Sequence, residues 1–148
     1  MKGILSLAFA SAMVMTAPMA SEIEAEDYIK YRENLMNNAK THTQGIVGVL
    51  KGKLNTKDNI VRHARALHEV SMMFTSAFPE GSDFGETRAK EKIWSDWKGF
   101  EMAAKKNQDA IADLVKAAES KDVAGVGDAM GAVGKTCKGC HKEYRSKK

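Results

Sequence analysis

Val123, Val126, Met130, Val133, Cys137, Cys140 and Tyr144 follow one another at alternating intervals of three and four residues. An α-helix with 3.6 residues per turn gathers all of them on one face, whereas a strand, with its period of two, would scatter them over both. The same rhythm runs through the chain. Over about residues 24–50, Ile29, Met36, Ala39, Thr43, Ile46 and Leu50 recur at threes, fours and their sum. A second helix carries Ile60, Ala64, Leu67, Ser71, Phe74 and Phe78, with Asn55 and Thr56 as N-cap side chains, and must end before Pro79. A third, from about Ser95 to Glu119, shows Phe100, Ala104, Asn107, Ile111, Leu114 and Ala118 on one side; Asp122 caps the fourth. Proline occurs only at 18 and 79, and neither Asn-Gly nor Asp-Gly marks a hairpin. The residues from Pro79 to Gly85 read as a polar loop. Four such helices with mostly short connections predict an all-α fold, an antiparallel up-down four-helix bundle.

The chain of 148 residues, 43% apolar and 28% charged, is long enough for one core without disulfides and too apolar for a disordered segment. Lys and Arg total 23 against 19 Asp and Glu, but the charges are interspersed, as in Lys90-Glu91-Lys92. No concentrated basic face points to a nucleic-acid partner. Residues 1–20 combine Lys2, an apolar run from Ile4 to Met15, and small residues at Ala17 and Ala20. This is the pattern of a secretory signal peptide cleaved after Ala20, leaving residues 21–148 as the exported domain. Pro18 fits the cleavage rule poorly, so a cut a few residues away, or an uncleaved anchor, are the alternatives. No other segment approaches membrane-spanning length, so no stable membrane insertion is expected after processing.

One motif carries specific chemistry. Cys137-Lys138-Gly139-Cys140-His141 has the C-x-x-C-H spacing of covalent c-type haem attachment. On a helix the two thiols and the imidazole stand at i, i+3 and i+4 and project from one face. The thiols can join the porphyrin vinyl groups while His141 reaches the iron as an axial ligand. Three other readings use the same residues. A structural zinc site needs four ligands, and His42, His63 and His68 form no second paired cluster in the sequence. A thioredoxin-like pair would be expected beside a βαβ unit. A disulfide across three residues closes too small a loop to constrain much.

The C-terminal placement of this motif in a four-helix chain, followed by Lys142-Glu143-Tyr144-Arg145, resembles the class II cytochromes c, and among them cytochrome c′ most closely. Tyr31-Arg32, Phe78-Pro79-Glu80-Gly81-Ser82, Ile93-Trp94 and Gly134-Lys135-Thr136 extend the likeness over the exported domain. The resemblance implies one covalent haem c held by Cys137, Cys140 and His141. It implies that Arg32 helps hold a haem propionate, where the residues alone equally allow a solvated surface cation. It places Arg145 beside the proximal haem face; the plainer reading is a cation at a helix C-terminus. Met36, four residues after Arg32, takes the position facing the distal side of the iron. In cytochromes c′ the residue there packs over a five-coordinate, high-spin iron; in low-spin relatives a Met ligates it.

The resemblance further implies a periplasmic protein that binds NO and CO in an apolar distal pocket, discriminates against O₂, exchanges single electrons with redox proteins, and forms a homodimer through its first two helices. The alternatives are an electron carrier with His141–Met36 ligation and a haem-free helical protein whose thiols bind metal or pair. No nucleophile–base pair, phosphate loop or paired carboxylates suggests an enzyme. Trp94, Trp97, Phe74 and Phe78 read as bundle packing, and Met72, Met73 and Met102 as filler. Gly125, Gly127, Gly131, Gly134 and Gly139, each costing a helix about 1 kcal/mol relative to Ala, suggest close approach by a haem or a neighbouring helix.

Overall fold

The computed structural model describes residues 25–147; the signal-peptide segment lies outside them. Its helices are α1 (Ala25–Leu50), α2 (Asn59–Met72), a short α3 (Lys92–Ser95), α4 (Trp97–Glu119) and α5 (Val123–Tyr144). Among the described residues there is no strand; the only bridge pairs Ala89 with Arg145. The long helices pack in sequence, α1 on α2, α2 on α4 and α4 on α5, which gives the up-down four-helix bundle expected. α1 and α5 touch each other far less. No helix among the described residues is long and apolar enough to cross a membrane.

The predicted faces of α2, α4 and α5 are largely the buried ones, whereas on α1 only Ile29 and Ile46 of the predicted face are buried and Arg32, Leu35 and Val49 join them. Phe100, Ala104, Asn107, Ile111, Leu114 and Ala118 are all buried on α4. On α5, Val126, Met130, Val133 and Tyr144 are buried, while Val123 at the first turn stays exposed. Asp122 caps α5 as expected, accepting from the Ala124 N–H at 3.1 Å.

Two expectations about the ends fail, each for a local reason. Asn55 and Thr56 do not cap α2, which starts at Asn59 after a backbone turn in which Thr56 and Lys57 carbonyls accept from the Asn59 and Ile60 N–H groups. The helix also stops at Met72, well before Pro79; residues 75–77 form a 3₁₀ turn with i→i+3 bonds, which still buries Ala77 and Phe78. The third long helix starts and ends close to where expected; Asp96 (φ −126°, ψ 50°) separates it from the short α3, and its carboxylate accepts from the Gly99 N–H at 3.3 Å to begin α4. A β-carbon on Gly99 would crowd the Asp96 carboxylate and oblige it to shift.

The core divides along the bundle axis. One half is aliphatic, built from Ile46, Leu67, Ile111, Leu114, Val126 and Val133 with their neighbours. The other gathers Leu35, Val70, Phe78, Ile93, Phe100 and Tyr144. Its rings meet edge-on, with Phe100 centroids 5.0 Å from Phe78 and 5.3 Å from Tyr144. Trp94 and Trp97 pack against this half, as expected. Met72, Met73 and Met102 lie on the surface.

No helix approaches the α5 glycines. A β-carbon on Gly127, Gly131, Gly134 or Gly139 would meet nothing within 4 Å, so packing by a neighbouring helix does not account for them.

Candidate functional site

The last turns of α5 carry Cys137, Cys140 and His141 on one face, all half-buried, with both thiols free. Cys137 packs at the margin of the aliphatic half and Cys140 at the margin of the aromatic half, so the motif straddles the boundary between them. Asn107, buried on α4, donates its amide N–H to Thr136 Oγ1 at 2.8 Å and to Cys137 Sγ at 3.4 Å. Burial pushes the Cys137 thiol up, with the Asn107 bond opposing. Cys140 is pushed up to about 11 by burial and by Cys137. Both are therefore thiols rather than thiolates at neutral pH. Burial, then the charges of Arg145 and Arg88, lowers the pKa of His141. The imidazole is thus held neutral, the form whose nitrogen can ligate a metal.

A strap formed by residues 88–92 fixes this end of α5. A helix leaves its last four carbonyls without intrahelical partners. Lys90 Nζ donates to the Lys142 and Glu143 carbonyls at 2.9 and 3.1 Å, and the Lys90 N–H donates to the Tyr144 carbonyl at 3.0 Å. The Arg88 guanidinium donates to the Ser146 carbonyl at 2.8 and 3.1 Å. Tyr144 Oη donates to Asp96 Oδ2 at 3.1 Å, tying the end of α5 to the start of α4. Arg88, Lys90 and Asp96 carry no signal in the sequence, because they reach the motif across 48–58 residues of chain. Arg145 is exposed and extended just beyond α5, its N–H donating to the His141 carbonyl at 3.1 Å.

Arg32 is not a solvated surface residue. It is only 5% exposed, with its guanidinium carbon 5.0 Å from the Phe78 ring centroid and 5.7 Å from that of Trp94. Nη2 donates to the Ser82 carbonyl at 2.6 Å, and Nη1 to Ser82 Oγ at 3.2 Å and the Ala77 carbonyl at 3.5 Å. Its Nε is buried without a partner, and no carboxylate pairs with it among the described residues. Burial lowers its pKa, opposed by the charges of Glu33 and Asp83. Met36, one turn further along α1, is half-buried.

These residues fit a haem c. Two protonated thiols and a neutral imidazole share a helix face, and α1, which touches α5 far less than α4 does, carries a buried cation with an N–H to spare. An unpartnered buried donor is costly, and an anionic group brought by a cofactor would relieve that cost.

Fold and site together define a four-helix-bundle protein of the c-type haem class. Residues 27–145 match the sequence profile of the family described as Cytochrome C′. The chain is 35% identical over 138 residues to cytochrome c′ of Rhodospirillum rubrum, which covers 93% of this chain and 94% of that protein. It is 31% identical over 140 residues to cytochrome c-556 of Agrobacterium fabrum, covering 93% and 94% of the two chains. A nitric oxide complex of a cytochrome c′ mutant from Alcaligenes xylosoxidans superposes with a TM-score of 0.78 at 33% identity, covering 84% of this chain and 97% of that one. The chain belongs to the cytochrome c′ family and binds one covalent haem c. The haem-free reading falls with that membership.

Proposed function

We propose that this protein is a periplasmic cytochrome c′ that binds NO and CO at a five-coordinate haem iron and exchanges single electrons, without being an enzyme. The observation that carries the reading is the shared face of Cys137, Cys140 and His141 on α5. Cys137 and Cys140 form the two thioethers, and His141 supplies the proximal nitrogen. Haem, when bound, supplies the iron that takes a diatomic ligand and the one-electron couple. Arg32 directs its free Nε–H to a propionate and holds the 77–82 loop with its other donors. Arg145 and Arg88 keep positive charge beside His141 and disfavour its protonation.

NO binding is supported by the nitric oxide complexes of the Alcaligenes xylosoxidans relatives. Residues 1–20 would export the chain and be removed. A homodimer through α1 and α2 is supported by exposed Tyr31, Met72 and Met73, with Tyr31 Oη 3.8 Å from Met73 Sδ. The absorption spectrum of the purified haem protein tests the central reading. A high-spin spectrum that changes little in Met36→Ala and shifts on adding NO is the expected result. A low-spin spectrum that becomes high-spin in Met36→Ala would instead establish the His141–Met36 electron carrier.

A further inference from the structure

The sequence shows no second histidine cluster beside the haem motif, yet the fold makes one. His42 of α1 and His63 of α2 face each other, half-buried, with their Nδ1 atoms 3.0 Å apart and ring centroids 5.3 Å apart at an interplanar angle of 52°. Gly45 makes the arrangement possible. A β-carbon there would lie 2.7–3.0 Å from three atoms of the His63 ring, so any larger residue would displace the imidazole. The pair belongs to the α1–α2 face and is separate from the motif on α5.

We infer that His42 and His63 form a binding site for a divalent transition-metal ion that clips α1 to α2. Two nitrogens, each about 2.0–2.1 Å from one zinc ion, lie about 2.9–3.4 Å apart for angles between a right angle and the tetrahedral value. The separation in the structure falls inside that interval. Two protonated imidazoles could not share such a contact, and burial together with the neighbouring His63 lowers the His42 pKa, which keeps nitrogen lone pairs available. Without metal, one Nδ1–H donates to the other Nδ1. With metal, the donor ring takes the other tautomer, its proton passing from Nδ1 to Nε2 through solvent, so that both Nδ1 atoms ligate while each imidazole stays neutral. No third His, Cys, Asp or Glu among the described residues is placed to join them, so water completes the coordination shell. Imidazole nitrogens select Zn²⁺, Ni²⁺ or Cu²⁺ over Mg²⁺ and Ca²⁺, which prefer oxygen.

A site of this kind stabilises the folded state by mass action, because the two ligands meet only when α1 and α2 are paired. The inference is independent of the haem function and is tested on the haem-loaded protein, where thioether formation and iron ligation remove Cys137, Cys140 and His141 from competition. Thermal unfolding is followed with added zinc, then with excess chelator. The expected result is a melting temperature that rises with zinc concentration, returns with chelator, and is unmoved by magnesium. His42→Ala and His63→Ala should each lose the rise, and His68→Ala should keep it. Gly45→Ala retains both imidazoles but displaces one, and should weaken the zinc response while leaving the haem spectrum unchanged. Direct zinc binding by calorimetry gives a readout for any variant that melts too early to compare. A wild-type protein that neither binds zinc nor shifts its melting temperature overturns the proposal. So does a zinc response that survives in both His42→Ala and His63→Ala.

Discussion

The two halves of the bundle are built on different principles. The aliphatic half closes on itself, with Ile46, Ile111, Leu114, Val126 and Val133 fully buried and no charged group among them. The half nearer the end of α5 buries a guanidinium, the Ser82 hydroxyl and a cluster of rings, and leaves Cys140 and His141 half-covered, with Cys137 at its border with the aliphatic half. Dispersion and apolar burial suffice for the first. The second has polar donors and reactive groups that aliphatic packing cannot satisfy, and it is completed by a cofactor. One half supplies the scaffold; the other supplies the site.

That contrast can be broken most severely at the motif. Cys137→Ala combined with Cys140→Ala should abolish covalent haem attachment, so that acid–solvent extraction removes all porphyrin from the protein. Hydrogen exchange in the variant should show lost protection around Phe100 and Tyr144 with protection retained around Ile111 and Val126. Equal loss in both halves would mean that the scaffold is not independent.

Leu114→Ala strikes the other half. It should lower stability by about 2–5 kcal/mol while leaving the haem content and visible spectrum of the folded fraction unchanged, as read by denaturant unfolding alongside absorption. A smaller effect is expected at the junction of α4 and α5. Asp96→Ala removes both the α4 cap and the acceptor of the Tyr144 hydroxyl, for a cost of about 1–2 kcal/mol. Because Asp96 acts through Tyr144 near His141, the variant should also perturb the reduction potential, which Leu114→Ala should not.

The smallest effect belongs to the exposed Arg65–Glu119 pair, 2.7 Å apart, which links α2 to α4 beside the aliphatic half. Arg65→Ala should cost less than about 1 kcal/mol, and the difference should shrink as salt is added. A large, salt-insensitive loss would show that this half relies on more than apolar packing.

How far the molecule was legible from its residues follows the range of the forces involved. The α4 face from Phe100 to Ala118 and the α5 face from Val126 to Tyr144 were readable because burial imposes a 3.6-residue period on any amphipathic helix. The same logic overran the end of α2. Phe74 and Phe78 continue the spacing, but a 3₁₀ turn keeps Phe78 buried without continuing the helix. The capping role of Asp96 carried no signal, since a capping carboxylate and a solvent-facing one look alike until its partners, the Gly99 N–H and the Tyr144 hydroxyl, are known.

By itself, the sequence determined the class of fold and the haem-attachment motif, because periodicity and i, i+3, i+4 spacing are properties of a single helix. Only the tertiary structure decided what surrounds that motif: the burial of Arg32 with an N–H to spare, the strap of Arg88 and Lys90 over the end of α5, and the meeting of His42 with His63. Each of these joins residues far apart in the chain, and such contacts come into being only when the helices pack.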